Sequence, residues 1–284
     1  MSKLYKDLLN IINFVPDKEE EKATEKYFRR LQDIFNFQNS VPIFILLFVL
    51  FLYCFGGYMG CILFVALIVV FAIVYKRYQK RFMTRMDSSV KKCIFSKSLT
   101  QFMVMSRYTR RPKEAQAVLP AIGNALFYLG RFEEAKNVAG LMKKYCDTPI
   151  GNMHRISFCA AIARYEMDKG GVEQYTKELQ MLIPQVNTPY ITKLYEAILK
   201  YPLYMEVEES CDYARAVELH KEEPNETMLQ KVSRSYRLCK IAMSAGLNDE
   251  AEKHRAFVLE NGGDTFYRRE LEKKKPGDIL ISRS

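Results

Sequence analysis

The chain has 284 residues, with 43 Lys and Arg against 33 Asp and Glu, a formal net charge of +10. That length allows one or two domains besides an apolar stretch in its first third. The positive excess sits almost entirely in residues 76–113, beside that stretch, and no zinc finger or aromatic RNA-binding motif accompanies it, so nucleic acid is not the expected partner. Seven cysteines (Cys54, Cys61, Cys93, Cys146, Cys159, Cys211 and Cys239) are dispersed without a C-x-x-C pair, which fits a reducing compartment and not a disulfide framework.

Residues 1–39 read as a polar, charge-balanced helical tail. Leu4, Leu8, Leu9, Ile11 and Ile12 fall at helical spacing, Pro16 ends that helix, and a second runs from about Asp17 through Asp33. Residues 40–75 follow. Val41–Tyr75 contains no charged residue and is longer than one membrane span requires. As one straight helix it would be roughly 50 Å long, against roughly 30 Å of hydrocarbon. Gly56, Gly57 and Gly60 offer a tight connection, so the expectation is two short spans, Ser40–Phe55 and Tyr58–Tyr75, joined as a transmembrane hairpin. A single tilted span and a buried soluble hairpin are the alternatives.

Residues 76–112 form a basic collar. Lys76, Arg77, Lys80, Arg81 and Arg85 are the expected contacts to anionic lipid, and the positive-inside rule then puts both termini in the cytoplasm. A multi-pass protein of the cell membrane results, of a kind that suits a bacterial cytoplasmic membrane. Asp87-Ser88-Ser89 reads as a helix break, and Val90–Tyr108 as the next helix.

Residues 113–272 read as stacked helix pairs, so the expected fold class is all-α. Turn signals stand at Gly130, Asp147-Thr148-Pro149, Gly170-Gly171, Pro184 to Pro189, Pro202, Pro224-Asn225 and Gly246, at spacings near 40 residues or twice that. Within Leu119–Tyr145, the residues Leu119, Ile122, Gly123, Leu126, Gly130, Phe132 and Ala135 stand at the spacings of one repeat family. The stretch resembles a tetratricopeptide repeat. Ala139 and Met142 depart from the pattern. Ile162, Ala163 and Gly170 keep less of it, Leu238, Gly246 and Ala251 keep part, and residues 188–222 have no clean motif. The resemblance implies an alpha-solenoid in which Gly123 and Ala135 let two helices approach and Phe132 fills the gap between them. Residues 273–284 read as a flexible tail after the last helix.

No catalytic or metal-binding constellation is visible. His154, His220 and His254 are far apart, no nucleotide-binding loop is present, and no cofactor is expected. The acidic patch Glu206, Glu208 and Glu209 reads as a solvated helix start. In the resembled family, contacts to partners come from the first helix of each pair. Matched by register, that implies Asn124, Phe127, Tyr128, Arg164, Met167, Tyr236, Lys240 and Met243 as partner-binding residues, with Arg164 and Lys240 receiving an acidic peptide. The expected function is a membrane-anchored scaffold or adaptor for protein or peptide partners, not an enzyme. The alternative is a small accessory subunit of a membrane transport, secretion or envelope complex.

Overall fold

Several helices begin where the sequence supplies a capping side chain or a proline, and each described element is helical. The computed structural model describes residues 2–30, 45, 48–49, 58–109, 111–186, 195–221 and 227–273. They form two units, Lys18–Ser88 and Met1–Asp17 with Ser89–Ser284.

In the Lys18–Ser88 unit, helix α2 spans residues 18–30 and α3 starts at Tyr58 and runs on through Lys91. Tyr27 stacks on Tyr78 with centroids 4.8 Å apart. Glu20 is buried and accepts both forks of the Arg85 guanidinium, at 3.0 and 2.9 Å. This unit overturns the two-span hairpin. Among the described residues, no helix is long and apolar enough to cross a membrane. Tyr58–Tyr75 is not a separate span: its helix continues without a break through Lys76, Arg77, Lys80, Arg81, Arg85 and Lys91. The multi-pass cell-membrane localisation, with both termini cytoplasmic, falls with the hairpin. Of the basic collar, Arg85 pairs with Glu20. The first expected span, Ser40–Phe55, and the glycine turn lie largely outside the described residues. The break expected at Asp87-Ser88-Ser89 is displaced as well. It falls at Lys92–Ile94, where Cys93 takes a left-handed φ of 55°.

The second unit begins with α1 (Lys3–Ile11), capped by the Ser2 hydroxyl, which accepts the Tyr5 N–H at 3.0 Å. Helix α4 covers Phe95–Tyr108, α5 Pro112–Tyr128 and α6 Phe132–Tyr145. Leu4, Tyr5, Leu8 and Ile12 bury one face of the first segment in the core, where α1 packs on α4 and α6. Lys144 and the Tyr145 hydroxyl hold Asp7, each at 2.7 Å.

Helices α7 (Pro149–Tyr165) and α8 (Lys169–Leu182) are capped by Thr148 and Asp168, whose side chains accept the N–H groups of Gly151 and Gly171 at 3.0 Å. A short turn, Ile183–Gln185, follows. Then come α9 (residues 195–199), α10 (Tyr201–Ser210), α11 (Tyr213–Lys221), α12 (Met228–Ser244), α13 (Asn248–Asn261) and α14 (Phe266–Lys273). Helices α5 and α6, α7 and α8, and α12 and α13 pack most extensively on one another.

These three pairs share one turn. Gly130 (φ 67°), Met167 (φ 58°) and Gly246 (φ 75°) each adopt the left-handed conformation. The residue after each donates its N–H back into the preceding helix: Arg131 to Leu126, Asp168 to Ala163 and Leu247 to Ala242, all at 2.9 Å. In the middle pair that place falls to Met167. Gly170, the glycine expected to make the turn, sits in the first turn of α8. Gly123 is a packing glycine as expected. A Cβ there would lie 3.2 Å from Met142 Cε and 3.3 Å from the Phe158 ring.

The loop between α13 and α14 closes the unit on α4. Asp264 accepts the N–H groups of Phe95 and Ser96 at 2.6 and 2.8 Å, capping α4 from the far end of the chain. Ile94, at the cap position itself, has no side chain to do so. Replacing Asp264 by Ala is expected to lower stability by about 1–2 kcal/mol, read as a shift of the urea midpoint at unchanged slope.

Candidate anion-binding cleft

Residues of α5, α7, α10, α12 and α14 surround a cleft of about 180 Å³. Its chemistry is set by four charged side chains. Arg164, near the end of α7, is 3% exposed. Its guanidinium lies over the rings of Tyr201 and Tyr204, with its carbon 4.8 and 4.5 Å from the centroids. One of its terminal nitrogens donates to Glu208 of α10. Its Nε and Nη1 are buried with no hydrogen-bond partner. Leaving such donors unpaired is costly, and guanidinium stacking on two tyrosines offsets part of that cost.

Glu208 lies between two cations, with Arg237 Nε 4.0 Å from its carboxylate. Burial works to raise the Glu208 pKa. The charges of Arg164 and Arg237 outweigh it, with the Arg164 hydrogen bond, and hold the carboxyl below its ordinary range. Burial also pulls Arg164 below its ordinary value, yet a guanidinium that starts near 12 remains charged. Lys240, one turn beyond Arg237, is exposed, and its ammonium sits 5.5 Å from the Tyr236 ring centroid. Lys240 has no carboxylate partner among the described residues. Arg164, Arg237, Lys240 and Glu208 are thus gathered in the lining of one cleft.

The inner wall is aromatic. Phe266 of α14 touches Phe127, Phe132, Tyr165 and Tyr236 at centroid distances of 5.6, 5.2, 4.8 and 5.9 Å. The hydroxyls of Tyr165 and Tyr236 donate to the two oxygens of Glu270, one each. Burial and that carboxylate push both phenols up, so they stay protonated donors.

Five of the eight residues expected to bind a partner line this cleft: Phe127, Arg164, Met167, Tyr236 and Lys240. The other three do not. Asn124 is exposed elsewhere on α5, Tyr128 is stacked on Phe95 at 4.7 Å, and Met243 is buried in the core. Arg237 and Glu208 are the residues that sequence reasoning missed. Arg237 shares its face of α12 with Lys240, three residues on, which is signal enough to have included it. Glu208 was hidden in an acidic patch, which lies on the second half of α10 and not at a helix start. Nor is the patch merely solvated: Glu206 pairs with Arg215 at 3.1 Å and Glu209 with Lys169 at 2.6 Å, while Glu208 turns inward to Arg164.

No protein-family model matches the chain, and no curated protein or solved structure matches it either. Among the described residues, no group of three or more His, Cys, Asp or Glu is placed to hold a metal ion.

Proposed function

We propose that the unit containing α4 to α14 is a tetratricopeptide-like helical-repeat module that binds an acidic segment of a partner protein. Three helix pairs with the same left-handed turn support the repeat assignment, and the small residue Gly123 at the crossing of α5 and α6 supports its type. The observation that carries the function is the gathering of Arg164, Arg237 and Lys240 in one cleft, where two nitrogens of the buried Arg164 have no partner and Lys240 is exposed. Guanidinium and ammonium groups bind carboxylates by charge-assisted hydrogen bonds, which are about twice as strong as neutral ones. The aromatic wall supplies apolar contact for the segment that carries the charge. The protein acts by holding, and its role is that of an adaptor or scaffold.

The test is fluorescence anisotropy of the full-length chain with a labelled, blocked penta-glutamate peptide, and with penta-lysine as the control. Binding of the acidic peptide alone, weakened at least tenfold by Lys240→Glu and by raised salt, is the expected result. Equal affinity of the wild type and K240E, or no binding of the acidic peptide, would overturn the proposal.

A further inference from the structure

We propose, resting on the acidic-segment reading above, that α14 is a built-in occupant of the partner groove, and that the partner segment which displaces it is a helix with an aromatic residue and a carboxylate four positions later. What α14 touches is the first reason. Phe266 packs on Phe127, Tyr165 and Tyr236, which line the cleft, and on Phe132 beside them. Glu270, one helical turn further on, accepts the hydroxyls of Tyr165 and Tyr236, one on each oxygen. A carboxylate carried next to an aromatic ring is therefore already bound at this groove, and it is bound by the cleft's own side chains. An acidic partner segment presents the same pair of groups.

How α14 is attached is the second reason. The helix has only eight residues, and Arg269, Glu272 and Lys273 on it are exposed. Isolated helices shorter than about 12–15 residues are marginal in water, so α14 keeps its shape through its contacts. Those contacts come from separate helices: the Arg269 guanidinium donates to the Leu129 carbonyl at the end of α5, and the Tyr267 hydroxyl lies 3.2 Å from the Ser233 hydroxyl of α12. A segment that offers the same groups competes for them directly. The loop before α14 stays fixed to α4 through Asp264, so a displaced α14 remains tethered and competes at an effective concentration of about millimolar. The exchange has to be like for like. Phe266 is 4% exposed, and a purely acidic segment in its place leaves the space between the four rings empty.

The test is titration of the full-length chain with acetyl-TFYRRELEK-amide, a copy of residues 265–273. Two further copies carry Ala in place of the Phe266 or the Glu270 equivalent, and penta-glutamate is run beside them. Anisotropy gives affinities. Hydrogen exchange of the uniformly 15N-labelled chain, which mass separates from the peptide, follows the chain's own residues 266–273. Displacement predicts that the copy binds, that each Ala form binds at least tenfold more weakly, and that exchange across 266–273 accelerates when the copy is bound. It also predicts that Glu270→Ala in the chain tightens the copy about five- to tenfold, because the competent, vacated groove becomes more populated. A merely structural α14 gives neither the faster exchange nor the tighter binding. Glu270 is half-buried, and circular dichroism shows whether E270A folds; exchange in the wild-type chain decides the question if it does not. Binding of penta-glutamate without binding of the copy overturns the displacement and leaves the acidic-segment function standing. Binding of neither overturns both. A copy that binds with unchanged exchange at 266–273, or no better than its Ala forms, also overturns the displacement.

Discussion

Replacing Arg164 by Met is expected to cost about 3–5 kcal/mol of stability, more than any other single change in the cleft, because it strips a buried carboxylate of its main partner. Glu208 side-chain exposure is only 17%, so water is a poor substitute for the lost guanidinium. Arg237, 4.0 Å from that carboxylate, compensates in part. The loss has a pH signature. Glu208 is held below its ordinary range in the folded chain, so its contribution is complete above the unfolded value and disappears as pH falls through the folded one. The gap between wild type and R164M should therefore shrink in acid, where Glu208 is protonated in both. A second substitution separates charge from packing. R164M with Glu208→Leu should recover most of the loss, because removing both members of a buried pair is often nearly neutral. Urea melts of the single and double variants between acid and neutral pH supply all the comparisons. A pH-independent loss, or no recovery in the double variant, would show that Arg164 matters for its packing on Tyr201 and Tyr204 and not for its charge.

Gly263→Ala should be nearly as damaging, at about 2–5 kcal/mol, for a backbone reason. Gly263 has φ 56°, which costs a residue with a Cβ about 1–2 kcal/mol. The added Cβ would also fall 2.3 Å from the carbonyl oxygen of Cys93 and 2.8 Å from that of Lys92. Neither side can easily yield. The Asp264 N–H donates to that same Cys93 carbonyl at 3.1 Å, and the Asp264 carboxylate caps α4. The overlap adds about 1–3 kcal/mol. Gly246→Ala isolates the conformational part, because φ there is 75° and nothing lies within 4 Å of the added Cβ. Gly246→Ala is expected to cost about 1 kcal/mol, and the excess at Gly263 measures the clash. Equal losses at the two positions would mean that the Cys93 loop moves aside.

Elements whose signals are local were legible in the sequence. The turn signal Asp147-Thr148-Pro149 fell at the start of α7, and the glycines at 130 and 246 marked two of the three helix-pair turns. The third was missed because Met167 takes a conformation that side chains rarely adopt, while Gly170 nearby looks like the natural candidate and lies in a helix. A helix continuing from Lys76 through about Met86 was expected from the sequence, but not that it would run on through Asp87-Ser88-Ser89 to Lys91. Register grouped Phe127, Arg164, Met167, Tyr236 and Lys240, which line one cleft, since helical periodicity fixes which residues share a face. It could not reveal that Glu208 comes in from another helix, nor that α14 packs its aromatics beneath the cleft. Both are long-range contacts, and no local spacing encodes them.

The docking of α1 on α4 and α6 bears on how the chain is made. Residues 18–88 interrupt a body whose opening segment, with Leu4, Tyr5, Leu8 and Ile12, completes its interior against helices encoded far downstream. During synthesis the first helix leaves the ribosome with its greasy stripe bare and stays so until Tyr145 has emerged. For that interval the nascent protein depends on chaperones, or on speed, to keep its beginning available for its middle.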